Sequence, residues 1–258
     1  MAEPSLILGG GDWAGKPSNL LAYHKIDSKF YADELTFARA STGTIVNADG
    51  LIESVASGIP RVSYLNNANG SLLLEPQRTN AMPYSEYFGS SDWTKQVGVS
   101  ITDNTEDSPE GVTNAATLTF NNSAGQLFDF VSATSGTTYT SSVFVKYKTG
   151  TSRDIKIGVY DGGYQLLLIN FAINGTIDST STIGTLVDSG YEDYGNGWYR
   201  VYLTWTSSST GNKEFNINRV SLASTSVEEF YIYGAQSELG SYATSYIPTS
   251  GTTVTRIY

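Results

Sequence analysis

The chain has 258 residues, a formal charge of −10 at pH 7 and a pI near 4.5, with 32 Ser, 29 Thr, 18 Tyr, a single His and no Cys. Without cysteine there is no disulfide framework, zinc–thiolate cluster or thiol nucleophile, and His24 alone rules out a multi-histidine metal site and leaves almost no material for a Ser-His-Asp triad. The acidic balance opposes phosphate backbones and the apolar runs are too short for a bilayer span, so neither nucleic acid nor membrane insertion is expected.

Residues 1–35 carry no sustained period. Gly9-Gly10-Gly11 and Gly15-Lys16-Pro17 interrupt the apolar patches, and Met1-Ala2-Glu3-Pro4 lacks the pattern of a secretory signal. An irregular arm is expected. Residues 36–91 read as a hairpin-rich base: Thr44-Ile45-Val46 and Leu51-Ile52-Glu53 flank Asp49-Gly50, a strong turn signal because both residues tolerate positive φ. A second pair, 61–65 and 72–75, follows, and residues 81–91 read as a connector with aromatic anchors.

From Trp93 onward strand signals recur about every dozen residues, the spacing of a sandwich. They fall at residues 97–101, 116–120, 126–130, 139–147, 155–160, 165–171, 198–205 and 228–239. Period-two alternation places Trp198, Arg200, Tyr202 and Thr204 on one face and Tyr199, Val201, Leu203 and Trp205 on the other. No helix-period segment stands out. The fold class is therefore all-β, an antiparallel β-sandwich preceded by a hairpin-rich segment.

Several stretches are more specific. They are Phe37-Ala38-Arg39-Ala40-Ser41-Thr42, Asp49-Gly50-Leu51-Ile52, Leu72-Leu73-Leu74-Glu75-Pro76-Gln77-Arg78-Thr79-Asn80, and Tyr84-Ser85-Glu86-Tyr87-Phe88 with Asp92-Trp93-Thr94. Further on come Gly195-Asn196-Gly197-Trp198-Tyr199-Arg200, Gly234-Ala235-Gln236-Ser237-Glu238-Leu239-Gly240, Thr244-Ser245-Tyr246-Ile247-Pro248-Thr249 and Val254-Thr255-Arg256. In this order, over about residues 36–257, the chain resembles a family of tailed-bacteriophage virion proteins found in tail fibres, tail spikes and head fibres.

The resemblance implies a non-enzymatic structural protein of the virion surface, with a jelly-roll body over residues 92–240 similar to carbohydrate-binding modules. Residues 1–35 would anchor it to capsid or tail proteins, and residues 241–258 would pack back on the base. A homotrimer is the usual state of phage fibres. No heptad, collagen or β-helix repeat is present to build a shaft, so a short head fibre or capsid decoration is expected ahead of a tail-fibre adhesin for host polysaccharide. A glycan depolymerase ranks last.

Candidate glycan-binding residues are Tyr160, Tyr164, Tyr191, Tyr194 and Trp198, clustered around expected loops, since Tyr and Trp rings match the apolar face of a sugar. For Trp198, within a strand, core filling is the stronger reading. Arg39, Arg61, Arg78 and Arg256 read as structural, each able to fasten irregular backbone through several hydrogen bonds. The acids Asp103, Glu106-Asp107, Asp188, Glu192-Asp193 and Glu228-Glu229 form no recognisable catalytic pair, and no catalytic residue is assigned. No cofactor is expected, although a structural calcium ion could use Asp161-Gly162-Gly163 or residues 188–193.

Overall fold

The structure, a computed structural model, describes residues 22–26, 29–33, 37–121, 125–150, 154–162, 164–170, 177–182, 186–219 and 227–257. Ahead of the base lie β1 (Ala22–Ile26) and β2 (Lys29–Asp33). The base holds β3 (Gly43–Val46), β4 (Ile52–Val55), β5 (Val62–Ser63), β6 (Ser71–Leu72) and β7 (Arg78–Asn80). Then come β8 (Thr94–Lys95), β9 (Val99–Asp107), β10 (Thr113–Phe120), β11 (Gln126–Ala133), β12 (Thr138–Thr149) and β13 (Asp154–Tyr160). They are followed by β14 (Tyr164–Asn170), β15 (Ile177–Thr182), β16 (Leu186–Asp193), β17 (Tyr199–Thr206), β18 (Gly211–Arg219), β19 (Glu228–Leu239) and β20 (Val254–Arg256).

Two six-stranded antiparallel sheets form the body, in the orders β16-β17-β12-β19-β10-β9 and β15-β14-β13-β18-β11-β8. Alternation sends Val143, Val145, Val201, Leu203, Trp205, Phe230 and Ile232 from the first sheet into one core with Leu127, Val131, Ile155, Ile157, Phe215 and Ile217 from the second. This is a jelly-roll-like sandwich, and no helix occurs among the described residues.

The first sheet is covered on its other face as well. Val46 and Ile52 of the base and Tyr246 of the C-terminal segment pack on Ala115, Phe144, Trp198 and Tyr233, which form a second core. Strand β12 is consequently buried at six successive positions, Thr140 to Val145. Polar residues survive there because each finds a partner: Thr140 meets Thr204 at 2.9 Å and Ser141 meets Ser237 at 2.9 Å.

Three expectations need correcting. Within the arm expected to be irregular, β1 and β2 pair as a hairpin from Ala22–Asp33 to Ile26–Lys29. Five residues a side are too few for a period to stand out. Strand β16, which the sequence reads as acidic loop, pairs with β17 along its length. It is an edge strand, where exposed acids are tolerated and discourage pairing with other chains. Strand β18 was not anticipated either, because its outward positions carry Asn212, Glu214, Asn216 and Asn218 rather than strand-favouring residues.

Candidate functional site

The quoted family-like stretches converge on the seam between base and body. Asn80 is fully buried and uses all four of its amide valences: its Nδ2 donates to the carbonyls of Ala235 (3.0 Å) and Ile247 (2.9 Å), and its Oδ1 accepts from the N–H groups of Met82 and Ser237, each at 3.1 Å. Gln236 accepts from the N–H of Ile247 at 2.7 Å and donates to Glu238 at 2.8 Å. Glu238 in turn accepts from both the N–H and hydroxyl of Thr244. The role of Asn80 went unnoticed in the sequence, where only its place after Arg78-Thr79 marked it.

The four arginines all lie in this region. Arg61 reaches Glu75 at 2.8 Å, Ser245 Oγ at 2.8 Å and the carbonyl of Thr44 at 3.2 Å. Arg256 reaches Glu75 at 3.3 Å and donates to Ser245 O and Oγ. Arg39 donates to the carbonyls of Ser41, Val55, Ala56 and Ile59. Arg78 faces Glu238 at 3.6 Å and lies over the Tyr242 ring. Burial pushes the Glu75 carboxyl up, but Arg256, Ser245 and Arg61 outweigh it and hold it below the usual carboxylate range. Gly43 is the point around which three arginines close: a Cβ there would stand 3.1 Å from Arg61 Cδ, 3.2 Å from Arg256 Cδ and 3.2 Å from Arg39 Nη1.

The candidate glycan residues do not form one site. Tyr160 ends β13 on the outer face of the second sheet and is 40% exposed, while Tyr164 pairs with it across the β13–β14 hairpin, its side chain lying outside the described residues. Tyr191, Tyr194 and Trp198 belong to the first sheet. Tyr191 lies within β16, 40% exposed, with its ring edge-on to Tyr199 at 5.7 Å. The β16–β17 turn needs three successive positive-φ residues, Gly195, Asn196 and Gly197, which folds Tyr194 and Trp198 inward beneath the base. Trp198 is only 2% exposed; its Nε1 donates to the Asp107 carbonyl at 3.0 Å and Lys146 lies over its ring at 5.9 Å. It fills the second core and offers no stacking face. Tyr194 packs edge-on against Phe144 at 4.9 Å, and burial pushes its phenol up to about 12.

Several of the residues suggested for calcium or acid chemistry are engaged elsewhere. Asp161 pairs with Lys213 and accepts from the N–H of Ser208 at 2.6 Å. Glu106 holds Lys146 at 2.7 Å, Glu229 holds Lys148 at 3.3 Å, and Asp103 accepts from the N–H of Gly89 at 3.2 Å. No group of three or more His, Asp or Glu residues suited to a metal ion occurs among the described residues.

The outer face of the second sheet lies on the side away from the second core and is exposed at its Tyr160–Phe130 end. Register sets three rows across β13, β18 and β11: Tyr160–Glu214–Phe130, Gly158–Asn216–Phe128 and Lys156–Asn218–Gln126. Tyr160 and Phe130, 40% and 46% exposed, are two inter-strand spacings apart, about 10 Å. Phe128 meets Phe130 edge-on at 5.6 Å. Between the aromatics Gly158 presents no side chain, and the sunken Asn218 donates to Asn216 Oδ1 at 2.8 Å while its own Oδ1 has no hydrogen-bond partner among the described residues. Sequence reasoning found Tyr160 but missed Phe128, Phe130, Asn216 and Asn218, whose shared face depends on the β11–β18 register.

No protein-family model matches the chain, and no curated protein does. Among solved structures, the enzymatically active domain of bacteriophage CBA120 tailspike protein 4 aligns at 14% identity over 62% of this chain and 21% of that one, with a TM-score of 0.39. TmCBM61 in complex with β-1,4-galactotriose aligns at 13% identity over 62% of this chain and 99% of that one, with a TM-score of 0.38. The CBM22-1 xylan-binding domain of Paenibacillus barcinonensis Xyn10C aligns at 11% identity over 64% of this chain and 94% of that one, with a TM-score of 0.39.

Proposed function

We propose that this chain is a bacteriophage virion protein that displays a β-sandwich knob at the particle surface and holds host polysaccharide through the outer face of its second sheet. The row Tyr160–Glu214–Phe130 carries the glycan reading: two exposed rings flank a carboxylate on a flat strand platform, so successive sugars can stack while their hydroxyls meet Glu214. The ordered likeness of residues 36–257 to phage fibre proteins supports the virion role. Engagement of the acids by lysines and backbone donors supports binding rather than bond cleavage. A trimer would multiply weak contacts by avidity.

The test is a glycan array probed with the assembled protein, followed by Tyr160→Ala and Phe130→Ala. Each variant is expected to lose roughly tenfold in retention while keeping its melting temperature. Wild-type retention unchanged in both variants would refute the sheet-face reading. Purified virions lacking the chain, or a monomer at micromolar concentration, would refute the particle and trimer assignments respectively.

A further inference from the structure

The base does not seal completely against the first sheet. A cavity of about 290 Å³ remains between β3, β5 and β6 on one side and the β16–β17 edge on the other. We infer that this cavity is a second saccharide site, one that takes a single uncharged sugar unit. It lies against the face of the sandwich opposite the Tyr160–Phe130 row and does not depend on that reading.

Arg200 is the central group. It is only 1% exposed, yet no carboxylate among the described residues lies within ion-pair distance of it. Its Nε and Nη2 converge on Ser142 Oγ at 3.3 and 3.1 Å, and its Nη1 donates to the Thr244 carbonyl at 2.6 Å. A guanidinium has five N–H donors, and these bonds use three of them on a side chain that lines the cavity.

Glu192 stands opposite Arg200 in the β16–β17 register, emerges on the same face and lines the same cavity. A buried donor beside a carboxylate acceptor matches adjacent sugar hydroxyls, which give and receive hydrogen bonds at once. Ser63, Asn66 and Ser71 add short polar groups on the facing wall, and Tyr194 adds an aromatic one. The charge pattern sets the class of ligand. The other acid at the wall, Glu75, is neutralised by Arg61 and Arg256, whereas Glu192 has no ion-pair partner among the described residues. Arg200 and Glu192 give the wall one positive and one negative group, so a neutral hexose or N-acetylhexosamine meets both, whereas a uronic acid or sugar phosphate would meet Arg200 only against the repulsion of Glu192. The volume lies near the small end of ligand pockets, the scale of one sugar rather than a long chain.

The experiment uses the full-length protein and NMR amide shifts during titration with methyl glycosides of glucose, galactose, mannose, rhamnose and N-acetylglucosamine, with methyl glucuronate as the charged comparator. At least one neutral glycoside is expected to shift the amides around Tyr194 and Thr244 saturably at millimolar concentration. Glu192→Ala is expected to weaken it by roughly tenfold or more. Ser71→Trp, which plugs the exposed mouth without touching the core, is expected to abolish binding, and Tyr160→Ala to leave it unchanged. Absence of any saturable shift at the cavity would overturn the proposal, as would tighter binding of the glucuronate than of every neutral sugar. Shifts confined to the β11–β13 face and indifferent to Ser71→Trp would overturn it too, while leaving the sheet-face reading intact.

Discussion

Glu75 and Ser245, 170 residues apart, meet at both ends of one carboxylate: Oε1 accepts the Ser245 N–H at 2.6 Å and Oε2 accepts its hydroxyl at 2.7 Å. Glu75 belongs to the stretch ending in Arg78-Thr79-Asn80 and Ser245 to the stretch ending in Pro248-Thr249. Their contact gives a physical reason for both to occur in one chain. With Arg61 and Arg256 on the same carboxylate, one anion serves two guanidinium groups in a closed hydrogen-bonded network.

Removing the anion should therefore cost more than one hydrogen bond. Glu75→Ala leaves two largely buried guanidinium groups without their counter-charge and is expected to destabilise the protein by about 3 kcal/mol. Urea denaturation followed by tryptophan fluorescence measures this; a loss under about 1 kcal/mol would mean the arginines find other partners.

Gly43→Ala probes the same network sterically. The new methyl would press on Arg61, Arg256 and Arg39 together, each about 3 Å away and each held by hydrogen bonds. A loss of about 1–3 kcal/mol is expected, all of it steric, since Gly43 is not among the positive-φ glycines; an unchanged urea midpoint would refute the crowding.

Acid should act on two groups in opposite directions. Asp129 lies inward between Leu127 and Val131, its Oδ2 without a hydrogen-bond partner among the described residues. Burial pushes its carboxyl up to about 6, with the Phe130 N–H pulling it partly back and Asp92 adding to the rise. The folded state then holds a proton more tightly than the unfolded one, so this group's contribution falls as pH rises from about 4 through about 6. Asp129→Asn should flatten that slope and raise stability at pH 7 by about 1–2 kcal/mol. Glu75, held low, does the reverse: its contribution is present above the ordinary carboxylate range and fades as pH falls below it. Melting temperatures across this range, for wild type and Asp129→Asn, resolve the two; a variant curve parallel to wild type would refute the Asp129 assignment.

Trp198 separates packing from recognition. Trp198→Phe removes the bond to the Asp107 carbonyl and leaves a gap in the second core, which should lower stability by about 1–2 kcal/mol. Glycan retention should not change. A binding loss without a stability loss would restore this residue to the recognition surface.

Much of the sandwich was legible in the sequence because its strands obey a simple period. The turn at Asp49-Gly50 and the split faces of 198–205 were both visible as local patterns. The failures share a cause. Strands β16 and β18 carry acids and asparagines where a half-buried strand should carry apolar residues, and only their position, one at an edge and one with a polar outer face, permits it. The aromatic residues misled for a related reason. Tyr194 and Trp198 sit beside glycines that look like an exposed loop, but the loop turns them under the base, a burial set by Val46, Ile52 and Tyr246 from distant parts of the chain. Phe128 and Phe130 join Tyr160 only through strand register, which no local window contains.

The hydroxyl of Ser41 donates to the Ile257 carbonyl at 2.9 Å and accepts from the Ile257 N–H at 2.8 Å. The two extremities of residues 41–257 thus share a pole. A pull on both would unzip the short β7–β20 pairing and the arginine clasp first, leaving the twelve-stranded body unloaded. Such a unit behaves as a side branch rather than as a link in series: load applied at both extremities would be absorbed at the clasp, and the two sheets would keep their shape under tension.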